Sequence, residues 1–311
     1  MRNSTILREK KEILNMNVLS LFDGISCGQL ALERAGIHVD NYYASEIDEV
    51  AIQVTQHHYP DTIQMGDIEN WRDWNIDWKS IDLLIGGSPC QGFSIAGKKL
   101  NFDDKRSKLF LVYLDILNHL KGINPNIKFL LENVRMTDDI ADKIDELMGV
   151  NRAFIDSRDF TGHIRKRYYW TNITIQPWER KSLVIGDIID DLPYDKDLQF
   201  FLDRTEYAPT TSFDGIITIN PKDNNRKQTW QRGRVYDVAG NCPTICASLF
   251  DLNITKDNKT YRKLTVNECE MLQGVPRGYT SIVSKNNAGK LLGNGWTVDV
   301  VAHILKGLNT Q

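Results

Sequence analysis

Residues 81–94 read IDLLIGGSPCQGFS, and this stretch decides the fold. Apart from Asp82, residues 81–85 are apolar, which predicts a parallel strand buried on both faces and ended by Gly86 and Gly87. Pro89 fixes its own φ and biases Ser88 toward an extended backbone, so the thiol of Cys90 follows a constrained turn. In open α/β sheets, ligands and reacting groups collect just outside the carboxyl ends of strands, which is where this cysteine falls. Most cysteines are small buried hydrophobes, and only this placement sets Cys90 apart. A free thiol ionises at about 8.5, so a nucleophilic role requires a polarising pocket or a nearby cation from elsewhere in the chain.

With 311 residues, 41% hydrophobic and 25% charged, the chain has an ordinary globular composition and can bury a sizeable core. Its first residues carry Arg2, Arg8, Lys10 and Lys11 with no long apolar run behind them, so neither a secretory leader nor a membrane span is expected, and the setting reads as cytoplasmic. Five cysteines at 27, 90, 242, 246 and 269 are too sparse for a disulfide framework. Cys242 and Cys246 lack a second pair of ligands, so no metal is expected. A net charge of -3 does not exclude nucleic acid, because the local distribution decides. Residues 222–234 hold Lys222, Arg226, Lys227, Arg232 and Arg234 against Asp223 alone, a solvated loop or a phosphate-facing one.

Residues 1–15 read as a short helical or frayed extension. From Asn17, NVLSLF is a buried strand, DGISCGQ the turn behind it, and 29–35 a helix closed by Gly36. Strand, glycine turn and helix make half of a mononucleotide-binding unit, in which Gly24 and Gly28 let the backbone approach a ligand. The next strand, 41–45, ends in Glu46 and Asp48, where a carboxylate can accept from ribose hydroxyls. A short strand, 62–65, delivers Asp67 and Ile68, an acceptor and an apolar wall suited to adenine. Trp71, Trp74 and Trp78 read as packing. The polar, basic run 97–108 suits either a lid touching phosphates or a plain exposed loop, and 109–120 is a helix. Residues 127–131 form a buried strand ending in Glu132 and Asn133, with a helix at 138–148 behind it. Two strands, 154–160 and 168–174, flank HIRKR; in an extended segment Arg165 and Arg167 point to the same side. From 187 to 261 the βα alternation disappears, predicting a separate β-rich unit with strands near 215–219 and 234–238. The last fifty residues return to α/β grammar: a capped helix at 265–272, a Gly293-Asn294-Gly295 turn and a helix at 298–308 that packs on the first domain.

Together, the strand ends supply a thiolate for an electron-poor ring carbon, a buried glutamate that can protonate a ring nitrogen, and arginines for an adjacent carbonyl oxygen. Those roles describe addition to C6 of cytosine followed by alkylation at C5. In FDGISCG, PCQGFS, ENV, HIRKR, RKLTVNECEMLQGVP and GNGWTVDV, in this order between 16 and 307, the chain resembles the DNA (cytosine-5) methyltransferases of bacterial or phage type. The serine and cysteine at 26 and 27, HIRKRYYW and the tryptophan of GNGW are more similar to the animal de novo branch.

The resemblance implies a Rossmann-like α/β methyltransferase fold, with a mixed, mostly parallel sheet, helices on both faces and a small β-rich target recognition domain. It divides the chain into a catalytic domain at 1–186, a recognition domain at 187–261 and a returning segment at 262–311. Carried over by motif, Cys90 is the nucleophile, Glu132 the N3 proton donor, Arg167 the O2 contact and Arg165 a positioning group. Phe22, Asp23, Gly24, Ile25, Gly28, Glu46, Ile47, Asp67, Ile68, Pro89, Leu109, Asn294, Gly295 and Trp296 line the S-adenosyl-L-methionine (SAM) site, and the product is S-adenosyl-L-homocysteine (SAH). Gln231, Arg232, Arg234, Lys98 and Arg106 meet the nucleic acid, with Gln231 filling the space left by a flipped base. The implied partners are double-stranded DNA and a cognate restriction endonuclease, and the implied state is a monomer. A tRNA-directed enzyme of the DNA-type branch and a catalytically silent DNA-binding relative are the alternatives.

Overall fold

The computed structural model describes residues 15–89, 105–198, 211–219, 233–248 and 250–310. Its larger sheet runs β3-β2-β1-β4-β5-β7-β6 through β1 (Asn15–Leu21), β2 (His38–Ser45), β3 (Ile63–Gln64), β4 (Leu83–Gly86), β5 (Lys128–Val134), β6 (Ala153–Asp156) and β7 (Lys166–Thr171). The five strands from β3 to β5 are parallel, whereas β7 is antiparallel to both neighbours. Alternate residues feed two cores, as period-2 side chains must. Val18, Leu83, Ile85 and Leu130 face one core, which includes α1 (Cys27–Ala35) and α2 (Glu49–His58). Leu19, Leu21, Leu84, Phe129 and Leu131 face the other, with α3 (Lys105–Ile123) and α4 (Asp138–Met148). This is the expected fold: a doubly covered, mostly parallel sheet.

The second sheet runs β8-β13-β12-β11-β10-β9: β8 (Lys196–Asp197), β9 (Thr211–Phe213), β10 (Ile216–Thr218), β11 (Val235–Asp237), β12 (Asn253–Thr255) and β13 (Thr260–Lys263). Its inner residues Tyr236, Leu252 and Ile254 join the same apolar cluster as α1 and the first sheet. Three helices follow: α5 (Val266–Leu272), α6 (Lys285–Asn294) and α7 (Val298–Leu305). A capping box between Thr265 and Glu268 starts α5. The tail packs on α1 as expected, where Asp299 of α7 accepts from Arg34 at 2.8 Å.

Several boundaries differ from the sequence reading: β2 starts at His38, α3 spans Lys105–Ile123, and the strands read at 154–160 and 168–174 are Ala153–Asp156 and Lys166–Thr171; four others show why. β1 begins at Asn15, paired with His38. Gly86 lies inside β4, because a Cβ there would sit 3.0 Å from the Tyr113 ring and 3.1 Å from the Leu21 carbonyl; glycine lets α3 settle on the strand. β5 continues to Val134, with Glu132 and Asn133 paired to Tyr169 and Tyr168, because antiparallel β7 extends the ladder past the parallel register. The Gly293-Asn294 pair, read as a turn, closes α6. Here packing overrides propensity: a Cβ on Gly289 would be 1.9 Å from the Phe250 ring and one on Gly293 2.1 Å from the Ala247 amide.

Gly28 illustrates the same constraint. Its Cβ would lie 2.5 Å from Tyr42 Oη and 2.6 Å from Ile85 Cδ1, so glycine here seats α1 on the sheet. Gly28→Ala should lower unfolding free energy by about 1–3 kcal/mol, measured by chemical denaturation.

Candidate active site

At the carboxyl ends of β1, β2, β4 and β5, a cavity of about 400 Å3 opens. Its lining includes Phe22, Asp23, Gly24, Glu46, Ile47, Asp67, Ile68, Pro89, Leu109, Asn294, Gly295 and Trp296, twelve of the fourteen residues expected at the cofactor. Glu132, Arg165 and Arg167 line it as well. Ile25 and Gly28 do not. Ile25 is 1% exposed, with its carbonyl accepting from Tyr279 Oη at 2.9 Å, and Gly28 serves helix packing rather than close approach to a ligand. Cys90, Lys98, Gln231 and Arg232 lie outside the described residues, as does the side chain of Arg106. Arg234 stands just before β11, its carbonyl accepting from Asn253 Nδ2 at 3.2 Å.

The glycine turn after β1 is tightly wound, with positive φ at Phe22, Gly24 and Ser26. Buried Asp23 holds it: Oδ1 accepts from Ser20 Oγ at 2.6 Å and Tyr42 Oη at 2.7 Å, and Oδ2 from Ser26 Oγ at 2.5 Å. Burial dominates these hydroxyls and raises its pKa to about 6. Burial likewise pushes the Cys27 thiol up to about 12, so this cavity-lining sulfur stays protonated at neutral pH. Glu46 accepts from the Gly24 amide on Oε2 (2.8 Å) and from those of Ile47 (2.7 Å) and Asp48 (2.8 Å) on Oε1. A carboxylate offers about four acceptor positions. Among the described residues, one position on Oε2 stays open for a ligand hydroxyl. Asp67 caps the turn at Ile68 by accepting from the Glu69 amide at 2.9 Å, and Ile47 stands 70% exposed.

At the other end, Glu132 Oε1 pairs with Arg167 Nε at 2.7 Å, both side chains mostly buried. Asn133 Nδ2 donates to the carbonyl (3.2 Å) and the hydroxyl (3.0 Å) of Ser88, tethering the turn that leads to Cys90. A Cβ on Gly87 would meet Trp296 Nε1 at 2.7 Å and Glu132 Oε2 at 3.1 Å, so glycine lets the indole approach the glutamate. Arg165 is buried and donates to the carbonyls of Gly295 (2.9 Å), Gly293 (3.2 Å) and Ile245 (3.4 Å). Burial and then Arg167 lower its pKa to about 10, which leaves it charged at neutral pH. The expectation of a shared side for both arginines holds, since both face the cavity; the described partners of Arg165 are backbone carbonyls. Buried His163 accepts from the Ile245 amide at 2.9 Å through Nε2, and burial, then Arg165 and Arg167, holds its pKa well below the usual value.

The profile of the C-5 cytosine-specific DNA methylases matches residues 16–148 and 161–310. This chain belongs to that family. The type II methyltransferase M1.ScrFI of Lactococcus lactis subsp. cremoris is 31% identical over 94% of this chain and 78% of its own length. The orphan methyltransferase M.Rho11sI of Bacillus phage rho11s is 38% identical over 39% of this chain, but only 23% of that protein is covered. Among solved structures, a putative DNA modification methyltransferase encoded within an E. coli prophage superposes with a TM-score of 0.65 at 21% identity, covering 96% of this chain and 99% of that one. S. pombe Dnmt2 gives 0.66 at 18% identity, covering 94% and 97%.

The family's methyl donor is SAM, and this chain uses it. The cavity fits that molecule: its volume falls in the usual range of about 300–1,000 Å3, an acceptor stays open on Glu46, and apolar Ile47 is uncovered beside it. Sequence reasoning did not assign Cys27, Ser45, Asp48, Ala51, Gly87, Ser88, Asn133, Val134, Leu291 and Gly293 to the lining. Cys27, Gly87, Ser88, Asn133, Val134 and Gly293 lie within or beside the quoted motifs, and that position was their signal; Asp48 stood beside Glu46 at a strand end, and Ser45, Ala51 and Leu291 carried none.

Asp23 has a measurable consequence. An unfolded aspartate ionises near about 3.9, so between about pH 4 and pH 6 the unfolded chain loses this proton before the native one does. Stability contributed at this site therefore falls as pH rises through that window and stays reduced above it. Unfolding free energy measured against pH should show Asp23→Asn gaining on the wild type from pH 4 to 6 and holding a constant difference above.

Proposed function

We propose that this methyltransferase modifies C5 of a flipped-out cytosine in a short duplex DNA site, with Cys90 as nucleophile. One observation carries the reading. The Glu132–Arg167 pair and the Ser88–Pro89 turn open into the same cavity as Glu46 and Asp67, so base and donor sites are continuous. In the proposed sequence the Cys90 thiolate bonds to C6, and the electron pair of the C5–C6 double bond delocalises toward N3 and O2. Glu132 supplies the proton at N3, and Arg167 holds both Glu132 and the O2 oxygen. SAM supplies an electrophilic methyl group and leaves as SAH. C5 takes that methyl group and then loses its proton to solvent, the freed electron pair reforms the C5–C6 double bond and expels the Cys90 thiolate, and the N3 proton returns to Glu132. The base must leave the stack for C6 to be reached. Arg165, held by three carbonyls, positions the strand that carries Arg167.

Duplex DNA is supported by the basic composition of segment 222–234, by the DNA methylase family to which the chain belongs and by its similarity to a type II methyltransferase. That reading is open both to a type II role beside a cognate endonuclease and to a solitary role like that of the orphan phage relative, with a monomer working in the cytoplasm. No described helix is long and apolar enough to cross a membrane. The second reading is a cytosine in tRNA, as in the Dnmt2-type branch, whose fold this chain shares over 94% of its length.

Matched assays with a labelled methyl donor decide between them. Duplex DNA should accept methyl far faster than tRNA, and the reverse preference assigns the chain to the tRNA branch. On the better substrate, Cys90→Ser should abolish transfer while SAM binding persists, and Glu132→Gln should slow it by about 10²–10⁴-fold. Wild-type turnover in the serine variant would remove Cys90 from the mechanism.

A further inference from the structure

One ion pair joins two walls of the cofactor cavity that come from opposite ends of the chain. Asp48 caps α2 by accepting from the Val50 amide on Oδ1 at 3.0 Å, and its Oδ2 accepts from the Lys290 ammonium at 2.7 Å. Lys290 belongs to α6, and the next residue, Leu291, lines the cavity, as does Asp48 itself. The amides of Ile47 and Asp48 both donate to Glu46, so residues 46–48 form one stiff turn. Lys290 holds the Asp48 carboxyl below the usual carboxylate range.

We propose that the Asp48–Lys290 pair is a strap that holds the Glu46–Asp48 wall against the C-terminal wall and slows the exit of SAH after transfer. The inference rests on this cavity being the SAM site. A ligand seated between two walls leaves when they part, and parting here breaks a charge-assisted hydrogen bond. The Lys290 side chain is 55% exposed and that of Asp48 28%, so water screens the pair. Its effect on release is about three- to fivefold, equivalent to about 0.7–1 kcal/mol. Salt weakens it further, as the screening length falls from about 10 Å at 0.1 M to about 3 Å at 1 M.

The test is SAH dissociation from the full chain by stopped flow, with calorimetric titration of SAM and SAH, at 0.1 and 1 M salt. Asp48→Asn removes the charge and keeps a good helix cap; Lys290→Gln removes the partner, and Lys290→Arg keeps the charge. Each neutral variant should release SAH about three- to fivefold faster, the double variant no faster than either, and the arginine variant close to wild type. Only the charged forms should speed up in high salt. Additive effects in the double variant, or unchanged release in both single ones, overturn the strap alone. Absence of SAM and SAH binding by the wild type would overturn the cavity assignment together with it.

Discussion

A guanidinium removed from water ties this site together. Arg165 stands 4% exposed and donates to Ile245, Gly293 and Gly295, carbonyls from the β-rich unit and the C-terminal tail. A buried charge costs several kcal/mol unless hydrogen bonds compensate it, so these segments are constrained to meet where Arg165 is. Neighbouring bonds reinforce that junction: Ile164 donates to the Cys242 carbonyl at 2.9 Å, Thr244 Oγ1 to the Ile164 carbonyl at 2.8 Å, and the Ile245 amide to His163. Protonated His163 would lose its acceptor and face two arginines, so it stays neutral.

From that junction the rest of the site follows. Gly293 and Gly295 bring Trp296 against Gly87, and the absence of a side chain at Gly87 lets the indole lie beside Glu132. Glu132 is then held by Arg167, two positions beyond Arg165 along the extended chain. Asn133, next to Glu132, fixes Ser88 just after β4. Neighbouring strand-end positions thus orient Glu132, Asn133 and Ser88, while their registration with the tail depends on a buried arginine and bare glycine surfaces.

The two ends of the cavity use different electrostatics. At the cofactor end, Glu46 is held by three amides and Asp23 by three hydroxyls, and the partly exposed Asp48 pairs with a lysine. At the other end, the mostly buried Glu132 pairs directly with Arg167. Backbone donors orient a carboxylate without neutralising it, which suits a pocket for a cationic sulfonium ligand. The ion pair fixes a carboxylate and a guanidinium side by side on the cavity wall.

Sequence alone determined what short-range physics encodes. The near-continuous apolar runs at 81–85 and 127–131 mark strands buried on both faces, because alternating side chains enter two cores, and Gly36 ends α1 because its φ of 73 suits no other residue as well. The order of PCQ, ENV and the arginine block pointed to the family because motif order is a property of the chain itself and needs no tertiary contact. Only the tertiary structure decided which glycines serve a ligand and which serve packing: Gly24 faces the cavity, whereas Gly28 lies against Tyr42 and Ile85. Likewise it made α6 a helix where glycine and asparagine predict a turn, because residues 247 and 250 press on its bare face. Arg165 meeting Gly295, 130 positions away, and Asp48 meeting Lys290, 242 away, leave no local pattern, since neither side chain alters the backbone preferences around the other.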